Sequence, residues 1–242
     1  MRGRVLAAAV TVLLATGVAG HGGAAEAATV TRTVLSDGFS GDRGDRPADD
    51  VWAVSGGRDS YAALDGEGRL ALNAVLRTEK TFTQAYGRAE ARIQAWRMDG
   101  AWRALSVLDA NGRVPAGSLE TLASDRVDGD DFHTYAIDWT PSTLTWSVDG
   151  RKVLRFTRAE QGTPLMVVLN PASGGYYSTG MLVDWVTVRT TVQVDAPKWK
   201  AFTDYEPGRF VEYKKVVYKV REAHTSLPGW QPDLVPALFA KA

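Results

Sequence analysis

Between Thr29 and about Gln193 the chain is cut into short alternating or apolar runs by Gly, Asp, Asn and Pro, and almost no stretch repeats with a helical period. This pattern excludes helix bundles and α/β folds. It predicts an all-β domain. The clearest hairpin joins Leu144-Thr145-Trp146-Ser147-Val148 to Arg151-Lys152-Val153-Leu154-Arg155-Phe156 through Asp149-Gly150, residues suited to the positive φ angles of a tight primed turn. Further strands are expected over Arg69 to Ala74, Gly87 to Trp96, Ala104 to Leu108, Thr134 to Trp139, Leu165 to Asn170 and Met181 to Thr190. Turn clusters at Asp65-Gly66-Glu67-Gly68, Asp109-Ala110-Asn111-Gly112 and Ser173-Gly174-Gly175 punctuate them. So many short strands imply a sandwich or jelly roll.

The N-terminus carries an address. Arg2 and Arg4 precede an uncharged apolar run from Val5 to about Val18, and small residues then lead to Ala25-Glu26-Ala27. This is the pattern of a secretory signal peptide over residues 1–27, too short to span a bilayer, so a secreted, extracellular protein without membrane association is expected. There is no cysteine in the 242 residues, which rules out disulfides and thiolate metal sites and requires a core that holds unaided. The 28 basic and 28 acidic residues balance, so the chain has no electrostatic footprint for nucleic acid or an anionic membrane. A neutral ligand fits.

After Val194 the texture changes. Pro197 opens a stretch dense in lysine, proline and aromatics, including Trp199, Tyr205, Tyr213, Tyr218 and Trp230. The expected organisation is a β-sandwich over 30–192 and a small β-rich module over 196–242, whose core must be built on aromatic side chains.

Tyr86-Gly87-Arg88-Ala89-Glu90-Ala91-Arg92-Ile93 resembles the Y-G-x-x-E-A-R-I strand of family 16 glycoside hydrolases, the laminarinase and lichenase type. Gly100-Ala101-Trp102-Arg103-Ala104 is similar to that family's G-x-W-P-A turn, with Arg103 in place of proline. Phe132-His133-Thr134-Tyr135-Ala136-Ile137-Asp138-Trp139-Thr140-Pro141, followed by Val148-Asp149-Gly150, resembles its F-H-x-Y-x-x-x-W-x-P…V-D-G segment. Asn170, Gly174-Gly175 and Val183-Asp184-Trp185-Val186-Thr187-Val188 are similar to its closing strands, so the resemblance runs from about Leu35 to Arg189. It implies a concanavalin A-like jelly roll and endo-β-glucanase chemistry.

That chemistry depends on a strand written G-E-x-D-x-x-E or G-E-x-D-x-E. A retaining glycosidase places one carboxyl as nucleophile and another as acid and base about 5 Å apart across a glycosidic bond. The corresponding strand here is Gly117-Ser118-Leu119-Glu120-Thr121-Leu122-Ala123, with Ser118 at the nucleophile position, Glu120 in the middle, and Leu122 or Ala123 last. Serine without a base cannot attack and then leave an anomeric carbon, and neither leucine nor alanine can protonate a leaving oxygen. A slip of two residues offers the alternative of Glu120 as nucleophile and Asp125 as acid, with Leu122 replacing the middle Asp. Loss of the pair and displacement of the pair are thus both open. The family's long E-x-Q-x-Y-like loop is short or missing, because Trp52 to Leu70 runs almost directly through Ser55 to Tyr61.

The resemblance further implies a structural calcium site beside a D-E-F strand. Here Asp37-Gly38-Phe39 puts Gly38 at the ligand position and leaves Asp184 as the candidate ligand. His133 reads as a buried hydrogen-bonding residue. Trp96, Trp102, Trp146, Tyr176 and Tyr177 are available to line a saccharide groove, with Trp102 and Tyr177 favoured and core packing the competing role.

The C-terminal stretch resembles carbohydrate-binding module family 5/12, found on chitinases. The match runs through Trp199, Tyr205-Glu206-Pro207-Gly208-Arg209-Phe210-Val211-Glu212-Tyr213, Val217-Tyr218, Ala223-His224-Thr225-Ser226, Gly229-Trp230-Gln231-Pro232 and Val235-Pro236-Ala237-Leu238. Lys215 replaces a turn glycine, and Phe239 stands where the family usually ends in Trp. Flat polysaccharide faces are lined by C–H groups on which exposed aromatic rings stack. Trp230 is the first candidate for that role, followed by Tyr218, His224 and Trp199, with core packing the competing role for each. The expected partner is a polysaccharide, chitin or a β-glucan, bound by a monomer. The alternatives are an endo-β-glucanase with a displaced carboxylate pair and a protein-interaction role for the sandwich.

Overall fold

The computed structural model describes residues 27–58, 60–95, 104–124, 131–171 and 180–242. The chain is all-β, as the alternation predicts. Two compact units emerge, Thr33–Thr190 and Thr191–Ala242, the second including the described residues 27–32.

The first unit is built on two sheets. A nine-stranded sheet runs β3 (Ala62–Leu64), β4 (Leu70–Leu72), β13 (Met181–Asp195), β6 (Tyr86–Ala95), β9 (Phe132–Trp139), β10 (Thr143–Val148), β11 (Arg151–Arg158) and β8 (Gly117–Thr121), with β1 (Ala27–Asp37) also paired to β13. A four-stranded sheet runs β2 (Trp52–Ser55), β5 (Val75–Thr78), β12 (Leu165–Leu169) and β7 (Leu105–Asp109).

The period of two explains both sheets. In β6, Ala89, Ala91 and Ile93 are buried, whereas Arg88, Glu90 and Arg92 alternate with them. In β12, Leu165, Val167 and Leu169 enter the same core cluster as Ile93, Ile137 and Val183 of the large sheet. One core shared by two sheets makes a sandwich. Trp146 crosses it, 6% exposed, donating from Nε1 to the Leu105 carbonyl at 2.9 Å. Its place is therefore the core, the competing role named for it above.

The Asp149-Gly150 turn has φ of 48° and 79°, the primed geometry expected, and joins β10 to β11. Short strands escaped the pattern. β2 and β3 lie within the segment from Trp52 to Leu70, leaving the connection between Ser55 and Tyr61. Four-residue and three-residue strands offer too few alternations to distinguish them from loop.

The second unit holds β15 (Phe210–Tyr213), β16 (Val216–Val220) and β18 (Phe239–Lys241) in one antiparallel sheet, and β14 (Asp204–Tyr205) with β17 (His224–Thr225) in another. Its buried cluster is Tyr205, Val211, Val220 and Phe239, with Trp199, Tyr218 and Leu238 packed against it. A core this small leans on aromatic volume. Phe239 is 2% exposed, so the position where the family usually has Trp serves packing here.

Candidate functional site

The shared motifs of the sandwich meet across one strand pair. β6 and β9 align Gly87 with Trp139, Ala91 with Tyr135 and Ile93 with His133. A Cβ on Gly87 would run into the Trp139 indole, so this glycine is what allows the ring to lie across the strand. Trp139 then donates from Nε1 to the Gln84 carbonyl at 3.0 Å. Glu90 takes ion pairs from Arg88 at 3.0 Å and Arg189 at 3.2 Å. His133 Nδ1 bonds the Asp149 carboxylate at 2.7 Å, and the same carboxylate accepts from the Thr134 N–H at 2.9 Å. Desolvation pushes the Asp149 carboxyl up, but the hydrogen bonds from Thr134 and His133 prevail and hold it below the ordinary carboxylate value. Tyr-Gly, Phe-His and Val-Asp-Gly are thus scaffold motifs. His133 has the hydrogen-bonding role expected of it, but it is half-buried rather than buried, its side chain 22% exposed.

β8 carries the residues at the catalytic-motif positions. Among the described residues it pairs with β11 alone, setting Ser118 opposite Thr157 and Glu120 opposite Arg155. Glu120 is exposed and meets Arg155 at 3.5 Å. Among the described residues, their cross-strand neighbours on β11 are thus a hydroxyl and a guanidinium. Gly117 is required, since a Cβ there would strike the Phe156 ring at 2.6 Å. Asp125, Trp96, Trp102, Tyr176 and Tyr177 lie outside the described residues, as does the signal-like segment 1–26.

Among the described residues, the carboxylates considered for calcium are held by other partners. Asp184 is held by Arg92 Nη1 at 2.5 Å, and that guanidinium also lies over the Phe132 ring at 4.6 Å. Asp37 accepts from the Phe39 N–H at 2.8 Å and from Trp52 Nε1 at 2.7 Å, and Gly38 adds no side chain. Calcium takes six to eight oxygens. Among the described residues no group of three or more His, Asp or Glu is placed to hold a metal.

In the second unit the sequence candidates divide. Trp199 packs against the core, donates from Nε1 to Ser226 Oγ at 3.3 Å and stands edge-on to Tyr213 at 5.7 Å. Tyr218 also packs against the core, between Val211 and Lys241 in the sheet register. His224 has both ring nitrogens engaged, Nδ1 with the Glu222 carbonyl at 2.8 Å and Nε2 with Ser226 Oγ at 3.0 Å. Its ring is also wedged among Tyr205, Phe239 and Trp230. Trp230 differs from these three. It is 38% exposed, with its backbone N–H donated to the Leu227 carbonyl at 2.9 Å. Leu227 and Leu234, three and four residues away in the chain, are also exposed, at 42% and 65%. Phe202 is also exposed, a residue that sequence reading missed because a lone Phe in a loop carries no periodic signal.

These observations define a protein of two all-β segments, a sandwich and an aromatic module. Residues 117–195 match the family model for glycosyl hydrolases family 16, and residues 198–240 match that for carbohydrate-binding module family 5/12. Chitinase Chi52 of Paenibacillus xylanexedens is 39% identical over 59 residues, 24% of this chain and 11% of that protein. Chitinase A1 of Niallia circulans is 29% identical over 119 residues, 43% of this chain and 17% of that protein. The chain thus aligns with less than a fifth of the length of either relative. The endo-β-1,3-glucanase structure from Pyrococcus furiosus superposes with a TM-score of 0.47 at 17% identity, covering 67% of this chain and 95% of that one.

Proposed function

We propose that this chain is a secreted polysaccharide-binding protein. Its C-terminal module anchors on chitin or a related β-glycan, and its sandwich keeps a family 16 scaffold without a hydrolytic carboxyl pair. The observation that carries the reading is Trp230, exposed in a segment matching a carbohydrate-binding module while the other candidate aromatics there pack against the core. A flat indole on the surface suits the C–H face of a pyranose chain. The sandwich side rests on the strand from Gly117, which has Ser118 at the nucleophile position and Leu122 or Ala123 at the last position, where a retaining mechanism needs two carboxyls. Export rests on the basic, apolar and small-residue succession at the N-terminus.

Binding of the full chain to insoluble chitin tests the anchor. Trp230→Ala is expected to weaken it about 10- to 100-fold, the range of a hot-spot aromatic, with little change in melting temperature. Unchanged retention would overturn the assignment. Incubation with laminarin and lichenan tests the sandwich, and no reducing ends are expected. Turnover that disappears in Glu120→Gln would establish the alternative, an endo-β-glucanase using Glu120 and Asp125.

A further inference from the structure

Phe202 combines three properties that rarely coincide. Its backbone lies in the left-handed region at φ 57°. That region costs a side chain bearing a Cβ about 1–2 kcal/mol, and glycine or asparagine occupies it more readily. The residue is 72% exposed, so the module's small core gains little from it. Its loop is also pinned from both sides. Tyr205 Oη accepts the Lys200 N–H at 2.9 Å and donates to the Lys200 carbonyl at 3.3 Å. The Phe202 N–H reaches the Ser226 carbonyl at 2.6 Å, and the Ser226 N–H returns to the Thr203 carbonyl at 2.9 Å. Ser226 is fully buried, and its hydroxyl is shared by Trp199 and His224. An exposed aromatic held rigidly in a costly conformation is presented to something.

Its neighbours say to what. Ser226, which holds Phe202, is followed by Leu227, whose carbonyl accepts from Trp230. The Phe202 and Trp230 N–H groups thus bond the carbonyls of two consecutive residues, Ser226 and Leu227, the second bond closing a turn under about 7 Å wide. Thr225, whose hydroxyl donates to Asp204 at 2.5 Å, adds polar groups beside this edge. We propose that Phe202 is a second stacking residue of the module, extending the Trp230 surface along one chain of an insoluble β-linked polysaccharide. The inference rests on the module's binding role and adds to it a residue and a direction. One ring grips a single sugar. Two rings held on a rigid edge select an extended chain without a further ordering cost.

The test uses the full chain, depletion isotherms on insoluble chitin and thermal unfolding, for wild type, Trp230→Ala, Phe202→Tyr and Phe202→Asn. Asparagine accepts the left-handed backbone, so Phe202→Asn is expected to keep or raise the melting temperature while losing about 3- to 10-fold in affinity. Phe202→Tyr is expected to bind like wild type. If Phe202→Asn binds like wild type while Trp230→Ala fails, Phe202 has no part in binding and only this inference falls. If melting temperature and affinity fall together in Phe202→Asn, its role is structural and the inference is again overturned. If the wild-type protein does not bind at all, the module's binding role falls, and this inference with it.

Discussion

The sandwich and the module use their signature residues in opposite ways. In the sandwich, the motif side chains hold the scaffold together: Gly87 yields space to Trp139, Glu90 collects Arg88 and Arg189, and Asp149 ties His133 to the neighbouring backbone. In the module, Tyr205, Val211, Val220 and Phe239 make almost the whole core, while Trp230 and Phe202 are left at the surface. The difference follows from size. A two-sheet core buries its tryptophans easily, whereas a small domain that still exposes aromatics forgoes burial it needs. Exposure is therefore the stronger functional signal in the smaller unit.

Substitutions can break or sharpen this contrast. The largest effect is expected from Gly87→Val, which drives a branched side chain into the Trp139 indole and should cost the sandwich about 3 kcal/mol. Calorimetry should show a lowered transition for the sandwich while chitin retention by the folded protein is unchanged. Lost retention would mean that the two units do not divide scaffold and ligand duties as proposed.

A smaller effect is expected from Asp149→Asn, which weakens the bonds to Thr134 and His133 by about 1 kcal/mol. The folded-state carboxyl is held below its unfolded value, so its contribution is complete above the ordinary carboxylate range and fades as pH falls through the depressed value. Melting curves should separate wild type from Asp149→Asn at neutral pH and converge in strong acid. A gap that persists there would assign the loss to something other than the charge.

The smallest effect is expected in the module, at the turn where Lys214 and Lys215 adopt φ of 53° and 65°. Lys214 is held by Asp233 at 2.9 Å and lies over the Tyr213 ring, but Lys215 carries the strain of a position suited to glycine. Lys215→Gly should stabilise by about 0.5–1 kcal/mol, the left-handed penalty less the added freedom of the unfolded chain. Binding should not change. A destabilised variant would show that Lys215 makes a contribution larger than its backbone cost.

Much of this arrangement was legible in the residues themselves. The alternation in β6 and β10, the Asp149-Gly150 turn and the aromatic stretch after Pro197 are local signals, because side-chain period and turn dihedrals are set by neighbours along the chain. The residue types at the motif positions are legible in the same way, since Ser118 is a serine in any fold. The tertiary structure alone decided which residues those positions face. Arg155 opposite Glu120, Arg92 on Asp184 and the Trp139 ring over Gly87 depend on strand pairings between segments distant in the chain. It also decided which aromatics are spent on packing. Trp199 and Trp230 are the same residue type in the same short module, yet one packs against Tyr213 and the core while the other is left exposed. Burial is a property of the assembled surface, and no local pattern contains it.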